Sequence, residues 1–133
     1  MRPEEAEVRR WVEYAHGDWS AARKLFASDN PELEIVAFHC QQAIEKLLKA
    51  YLVSRGIESG KIHDLGRLLQ RCTRLDTAFA DLRDDVDPLT QYAVVARYPG
   101  PPPPSVEAVR IALAVVETVW NVLRPRLPPE AVV

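Results

Sequence analysis

The sequence predicts an all-α protein, an antiparallel bundle of four or five helices. Apolar residues recur at intervals of three and four in several long segments, which is the period of an amphipathic helix. No segment alternates polar and apolar residues in the way a half-buried strand does. Proline and glycine cluster between the periodic segments, where helices must end. These observations favour helices that pack side by side through short connections.

The composition is that of an ordinary globular chain. It has 133 residues, 47% of them hydrophobic, with 17 Lys and Arg against 19 Asp and Glu and a net charge of −2. We expect a single helical domain over residues 1–127 and a C-terminal tail over residues 128–133. Because the net charge of the chain is not positive, any nucleic-acid binding requires a local basic patch. No apolar run reaches membrane-spanning length and the N-terminus lacks a signal core, so we expect a cytoplasmic protein without a membrane partner.

The first half of the chain predicts two long helices. The first runs from about Glu4 to Ser28 with an apolar stripe at helical spacing: Val8, Trp11, Val12, Ala15, Trp19, Ala22 and Phe26. Asn30 is a favourable N-cap residue and Pro31 suits the first position of the second helix. That helix is expected to continue to about Ser54, with Gly56 as its C-terminal stop.

The second half predicts shorter helices followed by one long helix. Asp64 should cap a third helix that buries Leu65, Leu68, Leu69 and Cys72. Residues 76–85 should form a helical turn or two. Asp87 and Pro88 should then begin a helix that reaches about Arg97 and buries Leu89, Tyr92 and Ala93. Residues 98–104 are rich in proline and predict a stiff connector.

The last helix is expected from the cap Ser105 to about Leu123, with residues 125–133 as a loose tail. Its core stripe is Val106, Val109, Ala112, Leu113, Val116, Val119, Trp120 and Leu123. Ile111, Val115 and Val122 lie on another side of the same helix. With the outer Phe38, they give more apolar surface than a small bundle can bury, which indicates a symmetric homodimer.

Residues 38–51 in the second helix carry the first candidate site. One arc of this segment is apolar, and the opposite arc carries His39, Gln42, Glu45, Lys46 and Lys49. Glu45 and Lys49 form an i,i+4 pair in the favourable order. The helix therefore offers a row of hydrogen-bond donors and positive charge.

A second polar cluster combines Lys61, His63 and Asp64 with Arg97 and Tyr98. An arginine beside a tyrosine suits gripping a phosphate and stacking on a base. Structural roles also explain these residues: His63 and Asp64 can cap a helix, and Arg97 can sit favourably at a helix C-terminus. His39 can equally be a packed, hydrogen-bonded side chain.

Several classes of site are absent from the sequence. It contains no glycine-rich phosphate loop, no H-E-x-x-H motif and no paired C-x-x-C motif. We therefore expect neither a metal site nor a cofactor. Cys40 and Cys72 each fall in an apolar helical pattern and are predicted to be buried free thiols.

Three motifs resemble the HEPN domain family. Residues 39–50 match its H-x-Q-Q-x-x-E-K-x-x-K core, residues 61–65 its K-x-H-D-L loop, and residues 96–99 its A-R-Y-P corner. Their order and spacing extend the resemblance over about residues 5–125. The resemblance implies a helical bundle built around a long antiparallel pair, and a homodimer with a groove at its two-fold axis.

The resemblance also implies function. Family members are linked to nucleotide or RNA binding, and many are encoded beside a minimal nucleotidyltransferase as two-gene toxin–antitoxin or stress modules. On this basis, we expect a nucleotide- or RNA-binding homodimer with such a partner. The expected binding residues are Gln42, Lys46, Lys49, Lys61, His63, Arg97 and Tyr98.

Many family members are metal-independent ribonucleases with an R-x(4–6)-H motif. Arg97 matches the arginine, but residues 102–104 are prolines and no histidine follows. Arg10 and His16 match the pattern within the first helix, where they lie about 240° apart around the helix axis. We therefore expect no catalytic residues. The alternatives are a ribonuclease toxin that uses His63 or His39, and a module that only assembles with other proteins.

Overall fold

The computed structural model describes residues 2–93 and 102–132, and within these residues the chain is all-α. Five α-helices follow one another: α1 (Pro3–Ala27), α2 (Leu33–Ser54), α3 (Leu65–Leu75), α4 (Arg83–Val86) and α5 (Val106–Leu123). Short 3-10 helices occupy Thr77–Leu82, Asp87–Tyr92, Arg124–Arg126 and Pro129–Ala131. No strand occurs in the described ranges. The predicted all-α bundle is confirmed.

The helices α1 and α2 form a long antiparallel pair, which is the most extensive contact in the bundle. Lys49 near the end of α2 lies over the ring of Trp11 in the first half of α1. Lys46, one turn earlier in α2, pairs with Asp18 further along α1. Residues later in α1 thus contact residues earlier in α2, which shows that the two helices run antiparallel.

Helix α2 lies at the centre of the fold and contacts α1, α3 and α5. Fourteen of its 22 residues are buried, because a helix enclosed on several sides has little surface left for solvent. Tyr51 and Phe79 illustrate this packing, with ring centroids 4.6 Å apart. Three polar side chains of α2 are buried, those of Gln41, Glu45 and Lys49, and buried polar groups are costly unless they find partners inside the protein.

Three predicted helix ends are confirmed. The Asp64 carboxylate accepts a hydrogen bond from the backbone N–H of Arg67 at 3.1 Å, and the Ser105 hydroxyl accepts one from Ala108 at 3.0 Å. At the end of α2, Gly56 has a φ of +78°. The backbone N–H of Ile57 there donates to the Leu52 carbonyl at 2.9 Å, which completes a Schellman motif.

Two predicted helix starts are wrong. Helix α2 begins at Leu33 after Glu32 rather than at Pro31, because Asn30 takes a φ of +51° within the turn instead of capping. The Asp87–Tyr92 segment follows Val86 directly as a 3-10 helix and has no side-chain cap. Its continuation towards Arg97 lies outside the described residues.

Burial corrects several apolar predictions. Ala93 and Val106 are exposed, whereas Val115 is buried. The end of the chain is not loose, because Leu127 and Ala131 are buried and the Pro129–Ala131 segment contacts α1. Leu127 and Ala131 belong to the hydrophobic core cluster, which keeps their apolar side chains out of water.

Candidate functional site

A buried ion-pair network joins α2 to the loop before α3. The ammonium of Lys49 lies 3.1 Å from Oε2 of Glu45 and donates to the Gly60 carbonyl at 3.2 Å. The same Oε2 lies 3.0 Å from Nδ1 of His63. The ring of Trp11 covers the ammonium, with 5.2 Å between Nζ and the ring centroid. The network therefore fixes the loop against the helix.

The network determines how His63 is presented. An ionised carboxylate oxygen only accepts hydrogen bonds, so in this contact Nδ1–H of His63 is the donor and Oε2 of Glu45 is the acceptor. The His63 side chain is 73% exposed, whereas the Glu45 side chain is 6% exposed. A buried carboxylate thus orients an exposed imidazole.

A second cluster joins α1 and α2. The Asp18 carboxylate lies 2.9 Å from Nδ1 of His39 and accepts a hydrogen bond from the ammonium of Lys46. Asp18 is 12% exposed, while His39 and Lys46 are about one-quarter exposed. His39 is thus hydrogen-bonded and partly packed.

The predicted donor row on α2 is less open than the sequence indicated. Lys49 is buried and its charge is neutralised by Glu45, so it does not line an open surface. The predicted i,i+4 pair itself is confirmed. The Lys46 charge is balanced by Asp18. Gln42 is partly buried, and its Nε2 donates to Oε1 of Gln41 at 2.7 Å.

The loop residues are accessible, and Lys61 is exposed beside His63. Lys49 and His63 are brought together, with 3.5 Å between Nζ and Nδ1. Arg97 and Tyr98 lie outside the described residues. The structure therefore joins the α2 motif to the Lys61–His63 loop as one site.

Sequence reasoning missed Asp18 and Gln41. Asp18 lies between Ala15 and Ala22 on the apolar side of α1. An acidic residue in that position predicts a buried or half-buried carboxylate that needs a partner. Gln41 is 1% exposed, and its Nε2 has no hydrogen-bond partner among the described residues. Its signal was its place as the first glutamine of the H-x-Q-Q motif.

Burial shifts the pKa of further groups among the described residues, Cys40, Cys72 and His16 among them. Burial raises the pKa of both Cys40 and Cys72 to about 12, so these thiols stay protonated and both are free. Burial also lowers the pKa of His16, whose ring packs edge-on against Trp120 with 4.6 Å between the ring centroids.

Within residues 2–93 and 102–132, no group of three His, Cys, Asp or Glu side chains could hold a metal ion. None of the helices in this part of the chain is both long enough and apolar enough to cross a membrane.

The fold and site define a helical bundle whose central helix positions a polar loop through buried ion pairs. The family model of the HEPN domain matches residues 8–126 of the chain. The protein therefore belongs to the HEPN domain family, which is consistent with a role that involves nucleotides or RNA. Comparisons with curated proteins and with solved structures gave no significant match.

Proposed function

We propose that the protein is a cytoplasmic, non-catalytic HEPN homodimer that binds a nucleotide or RNA and acts with a nucleotidyltransferase-like partner. In this proposal, the pair forms a two-gene toxin–antitoxin or stress module. Lys61, His63 and the partly exposed Lys46 provide contacts from the described residues. We add Arg97 and Tyr98 to these contacts because they belong to the A-R-Y-P motif.

One observation supports the binding role above the others: the Lys61–His63 loop is held on α2 by the buried Glu45–Lys49 pair. A loop fixed before binding loses less conformational entropy when a ligand arrives. Lys61 then offers an ammonium to a phosphate, and His63 an oriented imidazole to a phosphate oxygen or a base edge. Lys49 acts indirectly, by positioning the loop.

Titration calorimetry with a panel of nucleotides and a short single-stranded RNA tests the binding role. We expect weak binding that declines as salt rises. The Lys61→Ala variant should weaken it without lowering thermal stability, since the Lys61 side chain is exposed. His63→Ala should also weaken it, but it removes a hydrogen-bond partner of the buried Glu45 and should therefore lower thermal stability as well. Lys24→Ala, which removes an exposed lysine from α1, is the matched control. If no ligand binds, the module that only assembles with proteins remains.

The partner is tested by co-expression with a minimal nucleotidyltransferase encoded beside this gene. We expect the two proteins to purify together at a fixed stoichiometry. The absence of such a neighbouring gene, or separation of the two proteins at micromolar concentration, would contradict the two-gene module while leaving ligand binding open.

A metal-independent ribonuclease is the second candidate, and the geometry of His63 favours it. An exposed imidazole oriented by a buried carboxylate is the usual arrangement of a general base. His39 beside Asp18 is similar but less exposed. The non-catalytic proposal expects no RNA cleavage above background, with or without a chelator. Cleavage that disappears in His63→Ala or His39→Ala would favour the ribonuclease.

A further inference from the structure

Helix α3 carries a row of arginines on its outer side, where Arg67 and Arg74 are exposed and Arg71 is half-buried. Leu65, Leu68, Leu69 and Cys72 are its buried residues, and the opposite side carries Arg67, Gln70, Arg71 and Arg74. With a rise of 1.5 Å per residue, the three arginines lie about 6 Å and about 4.5 Å apart along the axis. The helix contains no acidic residue.

These arginines differ from most others on the surface. Arg2, Arg9 and Arg110 each pair with a glutamate three or four residues away in the sequence. Within the described residues, no carboxylate lies within salt-bridge distance of Arg67, Arg71 or Arg74. The row therefore carries three positive charges without a salt-bridge partner among the described residues, on a protein whose net charge is −2.

Helix stability does not explain the row. Arg67 stands in the first turn, where the helix dipole disfavours positive charge. Arg67 and Arg71 at i,i+4 repel one another, as do Arg71 and Arg74 at i,i+3, which costs a few tenths of a kcal/mol for each pair. Only Arg74, in the last turn, is favourably placed. When residues lower the stability of a helix and no compensating contact is present, a functional role is indicated.

The position of the row continues the candidate site. The Lys61–His63 loop leads directly into α3 through the cap Asp64, and that loop is fixed on α2 by Glu45 and Lys49. Lys61, His63 and the three arginines consequently follow one another along one stretch of chain. We call these five residues the basic track. Its part on α3, from Arg67 to Arg74, extends about 10.5 Å along the helix axis.

The chemistry of this track favours a nucleic-acid backbone over a protein surface. Arginine is common in protein interfaces, but there it clusters with large apolar side chains in well-packed, desolvated patches. None of the exposed large apolar side chains of the described residues lies on α3. Guanidinium forks bind phosphate oxygens through paired N–H donors and need no apolar contact. A strand of phosphates satisfies several arginines in sequence.

We propose that the exposed face of α3 binds the phosphate backbone of single-stranded RNA and extends the Lys61–His63 site along several nucleotides. This inference rests on the proposed function and specifies its ligand as an oligonucleotide rather than a mononucleotide. The arginines supply affinity without base specificity. Recognition of bases is left to the Lys61–His63 end of the track.

The test compares a mononucleotide with single-stranded RNAs of increasing length by fluorescence anisotropy at several salt concentrations. For the intact protein, we expect affinity to rise with length and then reach a plateau. The triple variant Arg67→Gln, Arg71→Gln, Arg74→Gln should bind long RNA at least tenfold more weakly. It should also reduce the slope of log affinity against log salt by about 2, since each single-strand phosphate contact contributes about 0.7. Mononucleotide affinity should be unchanged.

The matched control is the triple variant Arg2→Gln, Arg9→Gln, Arg110→Gln, which removes the same charge from paired arginines. It should leave the salt slope near that of the intact protein. Equal losses in both triple variants, or no dependence on RNA length, would overturn the inference but leave nucleotide binding intact. A complete lack of nucleotide and RNA binding would instead remove the proposed function. Retained RNA binding with loss of an acidic protein partner would assign the row to that partner and also overturn the inference.

Discussion

The ammonium of Lys49 and the carboxylate of Glu45 lie 3.1 Å apart with both side chains almost entirely out of water. Burial of two charges is costly unless each finds further hydrogen bonds. Lys49 finds the Gly60 carbonyl and Glu45 finds His63. The hydrogen bonds that offset the desolvation of the two charges therefore also hold the loop in a fixed position.

Removal of Lys49 alone should be strongly destabilising. Lys49→Met keeps most of the side-chain volume but leaves the buried Glu45 without its ammonium, so we expect a loss of about 3–5 kcal/mol in the free energy of unfolding. Urea denaturation measures it. The double variant Glu45→Gln, Lys49→Met should recover much of the loss. A loss below about 1 kcal/mol in the single variant would show that the pair behaves like a surface salt bridge.

Two glycines should respond in opposite directions to alanine. Gly17 lies inside α1, and the space that an alanine methyl group would occupy there is open, so Gly17→Ala should stabilise the protein by about 0.5–1 kcal/mol. Gly56 has a positive φ that alanine rarely adopts, so Gly56→Ala should destabilise it by about 1 kcal/mol. Thermal denaturation of the pair is the measurement, and shifts of the same sign would contradict the assigned conformation of Gly56.

The two cysteines should be unreactive in the folded protein. Their pKa is raised by burial from 9.0 to about 12, and only the thiolate reacts with disulfide reagents. We expect no modification at about pH 9 until denaturant is added. Because the folded pKa is the higher one, the stability that the thiols contribute is complete below pH 9 and declines as pH rises towards 12. Rapid labelling of the native protein at pH 8 would refute this burial.

The homodimer should depend on one edge of α5. Ile111 is 53% exposed and the half-buried Val122 lies on the same side of the helix, whereas Val115 beside them is buried and adds no surface for a partner. Ile111→Glu should convert a particle of about twice 15.0 kDa into a monomer of 15.0 kDa by light scattering. Val106→Glu is the control, because Val106 is also exposed but lies on the other edge of α5. A monomeric parent protein, or an Ile111→Glu variant that remains dimeric, would contradict the placement.

Much of the fold could be predicted from the sequence because local signals agreed with the tertiary structure. The periodic stripes located α1, α2, α3 and α5 to within about three residues. Asp64, Ser105 and Gly56 marked their ends through interactions that involve only neighbouring residues. Asn30 and Asp87 carried the same signals but failed, because the backbone of the surrounding turns did not place them at a cap.

The candidate site was predictable in composition but not in arrangement. The motifs identified Gln42, Lys46, Lys49, Lys61 and His63, yet a helical wheel assigns residues only to sides of one helix. Whether a given side of that helix is exposed to solvent or packed against another segment depends on distant parts of the chain. Asp18 neutralises Lys46 from 28 residues away, and His63 reaches Glu45 from 18 residues away. The sequence alone thus determined which charges the protein carries, whereas only the tertiary structure decided which of them are buried and paired, because pairing depends on segments that meet through folding.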